Sequence, residues 1–125
     1  METDKQGCRD LIELPIPPSV NELYDGGVKT KRRFKSNAYT EWLHTAGWRL
    51  TQQNPERHTG RVKVLYEYGR YNDNRRRDVC NFEKAISDLL VAHGVIEDDH
   101  LIDHVTLCWS DEVPEGLVHV SIEVI

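Results

Sequence analysis

The feature that most limits the fold is an alternation of apolar and polar residues over positions 61–68. Side chains two residues apart point to the same face of a strand, and here one face carries only apolar and aromatic side chains. They are Val62, Val64, Tyr66 and Tyr68. A half-buried strand is therefore predicted, and other elements must cover that face. A chain of 125 residues is long enough for one hydrophobic core but too short for separate catalytic and binding domains.

Two segments show the spacing of an amphipathic helix. The first follows Ser36, a good N-cap residue. The second runs from about residue 81 to residue 93, and Gly94 is a typical stop signal after it. The apolar stripes are Tyr39, Trp42, Leu43, Ala46 and Leu50 in the first helix, and Phe82, Ala85, Ile86, Leu89, Leu90 and His93 in the second.

Further strands are predicted near both ends of the chain. Residues 11–16 form a short strand that ends at Pro17 and Pro18, because proline lacks the amide hydrogen of a sheet ladder. Residues 102–109 and 117–125 form two strands joined by a turn at 114–116. Residues 21–35, which are polar and contain two glycines, are interpreted as a mobile basic loop. The prediction is a single α+β domain over residues 11–125, with one mixed sheet and two main helices, after a flexible tail at 1–10.

Charge is distributed unevenly along the chain. The net charge of −5 argues mildly against nucleic acid as a partner, because phosphate binding depends on clustered Lys and Arg. Two basic clusters nevertheless occur at residues 29–35 and 70–77, whereas residues 97–123 are mostly acidic. We therefore predict a basic surface that can contact DNA phosphates. Its residues are Lys31, Arg32, Arg33, Arg70, Arg75, Arg76 and Arg77.

The sequence contains no apolar run of the roughly 20 residues that cross a bilayer and no signal-peptide pattern at its start. A cytoplasmic protein without a membrane partner is expected, and no organic cofactor is expected either. Cys8, Cys80 and Cys108 are odd in number and far apart, so free thiols are predicted instead of a disulfide framework or a zinc site.

The chemistry is expected in residues 75–84 and 97–99. Carboxylates such as those of Asp78 and Asp99 are the ligands that hard divalent cations prefer, and such a cation prepares water for attack on a phosphodiester. Lys84, about one turn into the second helix, is suited to stabilise developing charge. The two aspartates flank that helix, so they can meet only through a neighbouring strand or a second subunit, and the residues do not choose between these routes.

Each of these residues also has a simpler interpretation. An aspartate before a helix is more often a capping group than a metal ligand, and the arginines at 75–77 could pair with the acidic C-terminal half. His100, His104 and Cys108 recur every four residues, an interval that suits a metal site on a helix, but this region is predicted to be a strand. They are therefore assigned structural or surface roles. The three tryptophans are assigned to the core or to a dimer interface instead of to base stacking.

The pattern R-R-R-D-x-x-N-x-x-K-A at residues 75–85, with Asp98 and Asp99 after the helix, resembles the RusA family of Holliday-junction resolvases. The early L-P-x-P-P-S-x-N at residues 14–21 is similar to the N-terminal strand and loop of that family. The resemblance implies a homodimer that binds four-way DNA junctions and cuts them with Mg²⁺ or Mn²⁺. It implies catalytic roles for Asp78, Lys84 and Asp99, with the cation held by Asp78 and Asp99.

Cys80 departs from the family pattern, because the resemblance assigns the second aspartate of the family to this position. A thiol is a softer ligand, poorly suited to Mg²⁺. In the favoured interpretation, Asp78 and Asp99 hold the cation with help from Asp98, Glu97 or Asn81. Alternatively, the site prefers Mn²⁺ or a softer ion, or the protein binds junctions without cutting them. A small protein-interaction module whose charges only pair with one another is the more distant alternative.

Overall fold

The computed structural model describes residues 10–26 and 33–125. The predicted tail at residues 1–10 lies outside these ranges except for Asp10, with which the first strand begins. No helix in the described ranges combines the length and the apolar character needed to cross a membrane. The described strands and α-helices are β1 (Asp10–Pro15), β2 (Tyr24–Gly26), β3 (Arg33–Lys35), α1 (Asn37–Gln53), β4 (Val62–Gly69), α2 (Glu83–Ala92), β5 (Ile102–Ser110) and β6 (Leu117–Val124).

The main sheet has four strands in the order β1, β6, β4, β5. β4 pairs with β6 in antiparallel and with β5 in parallel orientation, and β1 is antiparallel to β6. The predicted mixed sheet in a single α+β domain is therefore confirmed. The strands β5 and β6 follow one another in the chain but are not neighbours, because their connection crosses the end of β4.

The core lies between the helices and one face of the sheet. β4 and β5 are parallel, so the chain must cross from one end of the sheet to the other between them, and α2 lies in this connection. The alternating face of β4 is buried as predicted, and each of its four apolar or aromatic side chains is at most 2% exposed. The predicted helix stripes are also buried, except that Leu43 is partly buried and His93 is exposed.

The two helices begin differently. Ser36 caps α1, because its Oγ accepts a hydrogen bond from the amide of Tyr39 at 3.1 Å, which confirms the predicted N-cap. α2 begins at Glu83, slightly later than predicted, because Val79–Asn81 form a 3₁₀ turn before it. Phe82, between the turn and the helix, packs against Tyr68 and Trp109 with ring centroids 5.8 and 6.2 Å away. This aromatic contact holds the start of α2 near the C-terminal ends of β4 and β5.

The segment that was predicted as a mobile loop contains a small hairpin. β2 and β3 form a separate two-stranded antiparallel sheet, and the Arg33 guanidinium lies 4.7 Å from the centroid of the Tyr24 ring. For these residues the loop prediction is wrong, because ladder hydrogen bonds and a cation–π contact order a polar stretch that lacks an apolar pattern. Residues 27–32, which include Lys31 and Arg32, lie outside the described ranges.

The side-chain amide of Gln53 covers the outer side of β1. Its Oε1 accepts a hydrogen bond from the Glu13 amide at 2.8 Å, and its Nε2 donates to the Glu13 carbonyl at 2.8 Å. One side chain thereby makes the pair of hydrogen bonds that a neighbouring strand would make. Arg49 pairs with the Glu13 carboxylate at 3.2 Å. The C-terminal half of α1 is therefore attached to the edge of the sheet.

The end of β4 is closely packed where residues 70–77 leave the sheet. Gly69 pairs with Ser110 at the C-terminal end of β5. A Cβ atom on Gly69 would lie 1.9 Å from the carbonyl oxygen of Pro114, a separation that no side chain tolerates. Glycine is therefore required here, and this close approach fixes the point from which the segment 70–77 begins.

Candidate metal centre and nucleic-acid interface

Asp78 precedes the 3₁₀ turn that leads into α2. Its backbone is extended, with φ −88° and ψ 129°, and its side chain makes no capping hydrogen bond. The residue is exposed. The simpler interpretation of Asp78 as a capping group is therefore wrong, and its carboxylate is accessible to a ligand.

Asp98 and Asp99 follow α2 and lead into β5. The Asp98 carboxylate accepts a hydrogen bond from the amide of His100 at 3.2 Å and lies 3.0 Å from His100 Nδ1. These contacts lower the pKa of Asp98 to about 2, first through the His100 side chain, and the Asp99 side chain contributes as well. The same pair raises the pKa of His100. Asp98 thus caps the next 3₁₀ turn, Asp99–Leu101.

Lys84 lies on the exposed side of α2. Its Nζ is 3.2 Å from Asp88 Oδ1, one helical turn further on. This hydrogen bond is the main cause of a raised pKa for Lys84, and the charge of Asp99 contributes to the same shift. Asp88 was not among the predicted site residues, although its i,i+4 spacing from Lys84 is a signal of such a pair.

The described residues do not form a closed metal cage. Asp78 and Asp99 flank α2, whose 10 residues rise about 15 Å. Within residues 10–26 and 33–125, no group of three or more His, Cys, Asp or Glu side chains is arranged to hold a metal ion. Mg²⁺ commonly binds through one or two carboxylates and completes its shell with water and substrate phosphates. The donor types present therefore fit such a cation, provided that water or DNA supplies further ligands.

Cys80 lies inside the 3₁₀ turn, two residues after Asp78, and its thiol is exposed and free. Beneath this region the Tyr68 side chain is buried, and its hydroxyl has no hydrogen-bond partner among the described residues. Burial raises the pKa of Tyr68, and the nearby Glu83, Cys80 and Cys108 add to the shift. The buried Tyr68 hydroxyl near this turn is therefore neutral at neutral pH.

A buried polar contact attaches α2 to the sheet. The Tyr66 hydroxyl and Ser87 Oγ are 2.7 Å apart, and Ser87 Oγ also donates to a carboxylate oxygen of Glu83. Burial raises the pKa of Tyr66. Ser87 is not part of the apolar stripe that helical spacing predicts for α2, and nothing in its local sequence indicates the tyrosine hydroxyl beneath it. The contact fixes the first turn of α2, on which Lys84 is carried.

Arg77 is an internal part of the segment 70–77. Its guanidinium forms two hydrogen bonds with the Asp73 carboxylate, at 2.7 and 3.0 Å, and lies 3.9 Å from the centroid of the Tyr71 ring. Only 16% of its side chain is exposed. The pairing lowers the pKa of Asp73 and raises that of Arg77. We call Tyr71, Asp73 and Arg77 the arginine clamp, because together they hold the segment in one shape.

The other predicted DNA-binding residues differ in their exposure and in whether their side chains have ion-pair partners. Arg75 and Arg76 are exposed, and neither guanidinium has a hydrogen-bond or ion-pair partner within the described ranges. Arg70 pairs with Asp111 at 3.0 Å, but both side chains are largely exposed, so the pair is weak and water-screened. Arg33 is exposed on the hairpin, and Lys31 and Arg32 lie outside the described residues. Arg70, Arg75 and Arg76 therefore lie on one accessible surface. Arg77 is instead largely buried and paired with Asp73.

The arginine clamp predicts that DNA affinity falls when the negative charge of Asp73 is removed. Asp73→Asn removes a negative charge from a basic surface, and electrostatics alone would strengthen DNA binding. We expect about tenfold weaker binding instead, because the bidentate pair is lost and the segment is no longer held in shape. Fluorescence anisotropy with a labelled four-way junction measures the affinity. Asp111→Asn is the matched control, since it removes the same charge without touching the clamp and should bind equally or more tightly. Equal or tighter binding by Asp73→Asn would contradict the role of the clamp.

Two comparisons with known proteins match the chain to the same kind of endodeoxyribonuclease. The chain matches a family model described as endodeoxyribonuclease RusA over residues 15–124. It is 28% identical over 110 residues to a crossover junction endodeoxyribonuclease, rusA, of Enterobacteria phage HK97, and the alignment covers 87% of this chain and 89% of that relative. The family match includes the segments with Asp78 and Lys84, the pair Asp98 and Asp99, and the strands β4, β5 and β6, whereas β1 precedes it except for Pro15.

Proposed function

Because the chain belongs to the RusA family of endodeoxyribonucleases, we propose that it resolves four-way DNA junctions in recombination and repair, using Mg²⁺ or Mn²⁺. The match over residues 15–124 carries this proposal, since it includes both acidic segments in one alignment. The similarity to a crossover junction endodeoxyribonuclease over 89% of its length supports branched DNA as the substrate. A homodimer acting in the cytoplasm is part of the proposal, because symmetric cutting of a junction needs two active sites.

Asp78, Asp99 and Asp98 are the proposed ligands of the cation. Since α2 separates Asp78 from the other two by about 15 Å, the proposal requires the second subunit of the homodimer to bring them to one cation. Asp78 is exposed and caps no amide, so its carboxylate is available. Asp98 has to exchange its contact with His100 for the cation, whereas the charge of Asp99 contributes to the raised pKa of Lys84. When bound, the cation supplies the charge that polarises the phosphate and acidifies a water molecule.

Lys84 is proposed to bind the phosphate that is cut. Its ammonium is held by Asp88 on an exposed helix face, and a phosphate oxygen can accept a hydrogen bond from one of its other N–H donors. Negative charge grows on the phosphate oxygens during hydrolysis, and a positioned cationic donor stabilises that charge. The contact of Tyr66 with Ser87 holds this turn of the helix in place.

The DNA backbone is proposed to lie along Arg70, Arg75 and Arg76, with Arg77 supporting them from inside. Arg33, and Lys31 and Arg32 next to it in sequence, would extend the surface. Contacts of this type position DNA without reading its sequence. They suit an enzyme that recognises the shape of a junction.

A junction-binding protein without cleavage activity is the second candidate. Cys80 favours it, because a thiol in place of the family's carboxylate removes a hard ligand, and no three-ligand group is assembled in the described part of the chain. A protein-interaction module receives no support from the family match.

One experiment separates these candidates. A synthetic four-way junction is incubated with the protein and with Mg²⁺, Mn²⁺ or a chelator, and the strands are separated on denaturing and native gels. We expect paired incisions with Mg²⁺ or Mn²⁺ and none with the chelator. A shifted but intact junction would support the binding protein. Neither incision nor shift would contradict both DNA-based proposals.

A further inference from the structure

Two cavities adjoin the arginine clamp. One, of about 180 Å³, is bounded by Tyr71, Arg75 and Arg77 together with Trp109 and Arg70. The other, of about 290 Å³, shares Tyr71, Arg75 and Arg77 and continues towards Pro17 and Pro18. Because they share these three residues, the cavities meet at the clamp. We call these two adjoining cavities the groove; they lie at the end of the sheet where β4 and β5 terminate.

The walls of the smaller cavity are aromatic as well as basic. Tyr71 and Trp109 are both partly exposed, and their ring centroids lie 6.3 Å apart with the planes at 69°. Arg75 brings a guanidinium that has no partner among residues 10–26 and 33–125, whereas Arg77 is already paired with Asp73. A positively charged groove with aromatic rings is typical of sites for unpaired nucleic-acid strands, in which phosphates follow the cations and bases stack on the rings.

The size of the cavity limits what it can hold. Its 180 Å³ is less than the roughly 300–1,000 Å³ of ordinary small-molecule sites but several times the roughly 30 Å³ that one water occupies. A single planar base fits this range, and a duplex does not. The Asp73 carboxylate in the wall disfavours a bare phosphate, whereas the stacked pair of the Arg77 guanidinium and the Tyr71 ring is a surface on which bases stack.

We propose that this groove binds unpaired nucleotides at the branch point of DNA, with one base entering the smaller cavity and contacting the Tyr71 and Trp109 rings that line it. This inference rests on the proposed function, since it names the part of the branched substrate that this surface takes. It also changes the interpretation of Trp109, which sequence patterning had assigned to the core or a dimer interface. Pairing is already disturbed at a branch point, so a base there leaves its stack at low cost.

The test uses four-way junctions that each lack one base near the branch. Junctions with a single abasic nucleotide at successive positions are compared with the intact junction for binding to the wild-type protein in Ca²⁺, which suppresses cleavage in many nucleases that use Mg²⁺. We expect about tenfold weaker binding when the missing base is at one or two positions next to the branch. Equal affinities for every abasic position would overturn the inference, and this arm needs no variant.

A second arm assigns the effect to the cavity. Tyr71→Leu removes the aromatic face but keeps an apolar side chain, and Tyr71→Phe is the matched control that keeps the ring. In Tyr71→Leu the sensitive abasic position should no longer weaken binding, because the stacking partner is already absent, whereas Tyr71→Phe keeps the ring and should still lose affinity at that position. Additive losses in Tyr71→Leu would place the base elsewhere. Circular dichroism checks that both variants fold, and if Tyr71→Leu does not, the wild-type comparison decides.

The inference and the proposed function can fail separately. A protein that cuts intact junctions but shows no sensitivity to any abasic position retains the proposed function and loses the base-binding groove. A protein that binds no junction loses both.

Discussion

Asp78→Asn is expected to lower the rate of junction cleavage by at least about 100-fold, since the loss of a ligand removes several kcal/mol of electrostatic stabilisation. Junction binding should remain equal or become tighter, because the carboxylate also repels the DNA phosphates. Single-turnover cleavage and anisotropy measure the two effects separately. Asp99→Asn should behave in the same way.

The matched control for both variants is Asp103→Asn. Asp103 lies close to Asp99 in sequence but pairs with Arg61 at the start of β5, so its neutralisation should change cleavage by less than twofold. If Asp78→Asn and Asp99→Asn both cleave at the wild-type rate, the metal centre is not at these residues. If both lose binding together with cleavage, their role is structural.

Cys80→Asp is expected to raise cleavage by about 10- to 100-fold and to lower the Mg²⁺ concentration needed for half-maximal activity. The reason is that an added carboxylate two residues after Asp78 supplies a hard ligand and a negative charge where the thiol supplies neither. Cys80 is exposed in a 3₁₀ turn, so the substitution needs no rearrangement of the core. A titration of cleavage rate against Mg²⁺ and against Mn²⁺ gives both quantities.

Cys80→Ser separates charge from size in that experiment. Serine resembles the thiol in volume but carries no charge, so it should leave the wild-type rate and metal dependence nearly unchanged. An equal rate for Cys80→Asp and wild type would mean that Asp78, Asp99 and Asp98 already suffice. A gain with Ser as large as with Asp would instead point to an effect of the thiol itself.

Those elements of the fold were predictable whose apolar residues repeat at a regular spacing within a short stretch of sequence. The alternation in β4 and the stripes of α1 and α2 predict these elements because burial repeats with the period of the element itself. The order of the strands was not predictable, since β4 pairs with β6 across half the chain and local patterns carry no information on partners. The β2 and β3 hairpin was missed because its order comes from backbone pairing and from Arg33 over Tyr24 instead of from an apolar face.

In the candidate site, too, some features were predictable from the sequence and others were not. Asp78, Lys84 and Asp99 were chosen from a family pattern, and their roles remain predictions. The different use of Arg77 was not foreseen, because three adjacent arginines look equivalent in the sequence. Only the contact with Asp73 and the Tyr71 ring distinguishes Arg77 from its neighbours. The Ser87 contact with Tyr66 was missed for a related reason, since a polar residue beneath a helix is explained only by the partner it meets.

The contact of Gln53 with β1 has a consequence for how copies of this chain can assemble. An edge strand exposes unpaired amides and carbonyls. A strand of another molecule can pair with them, and such pairing leads to aggregation. Here the glutamine occupies the hydrogen-bonding positions of Glu13 itself, so a foreign strand has to displace it before it can pair at that point. At this point the flank is therefore protected by a single neutral side chain.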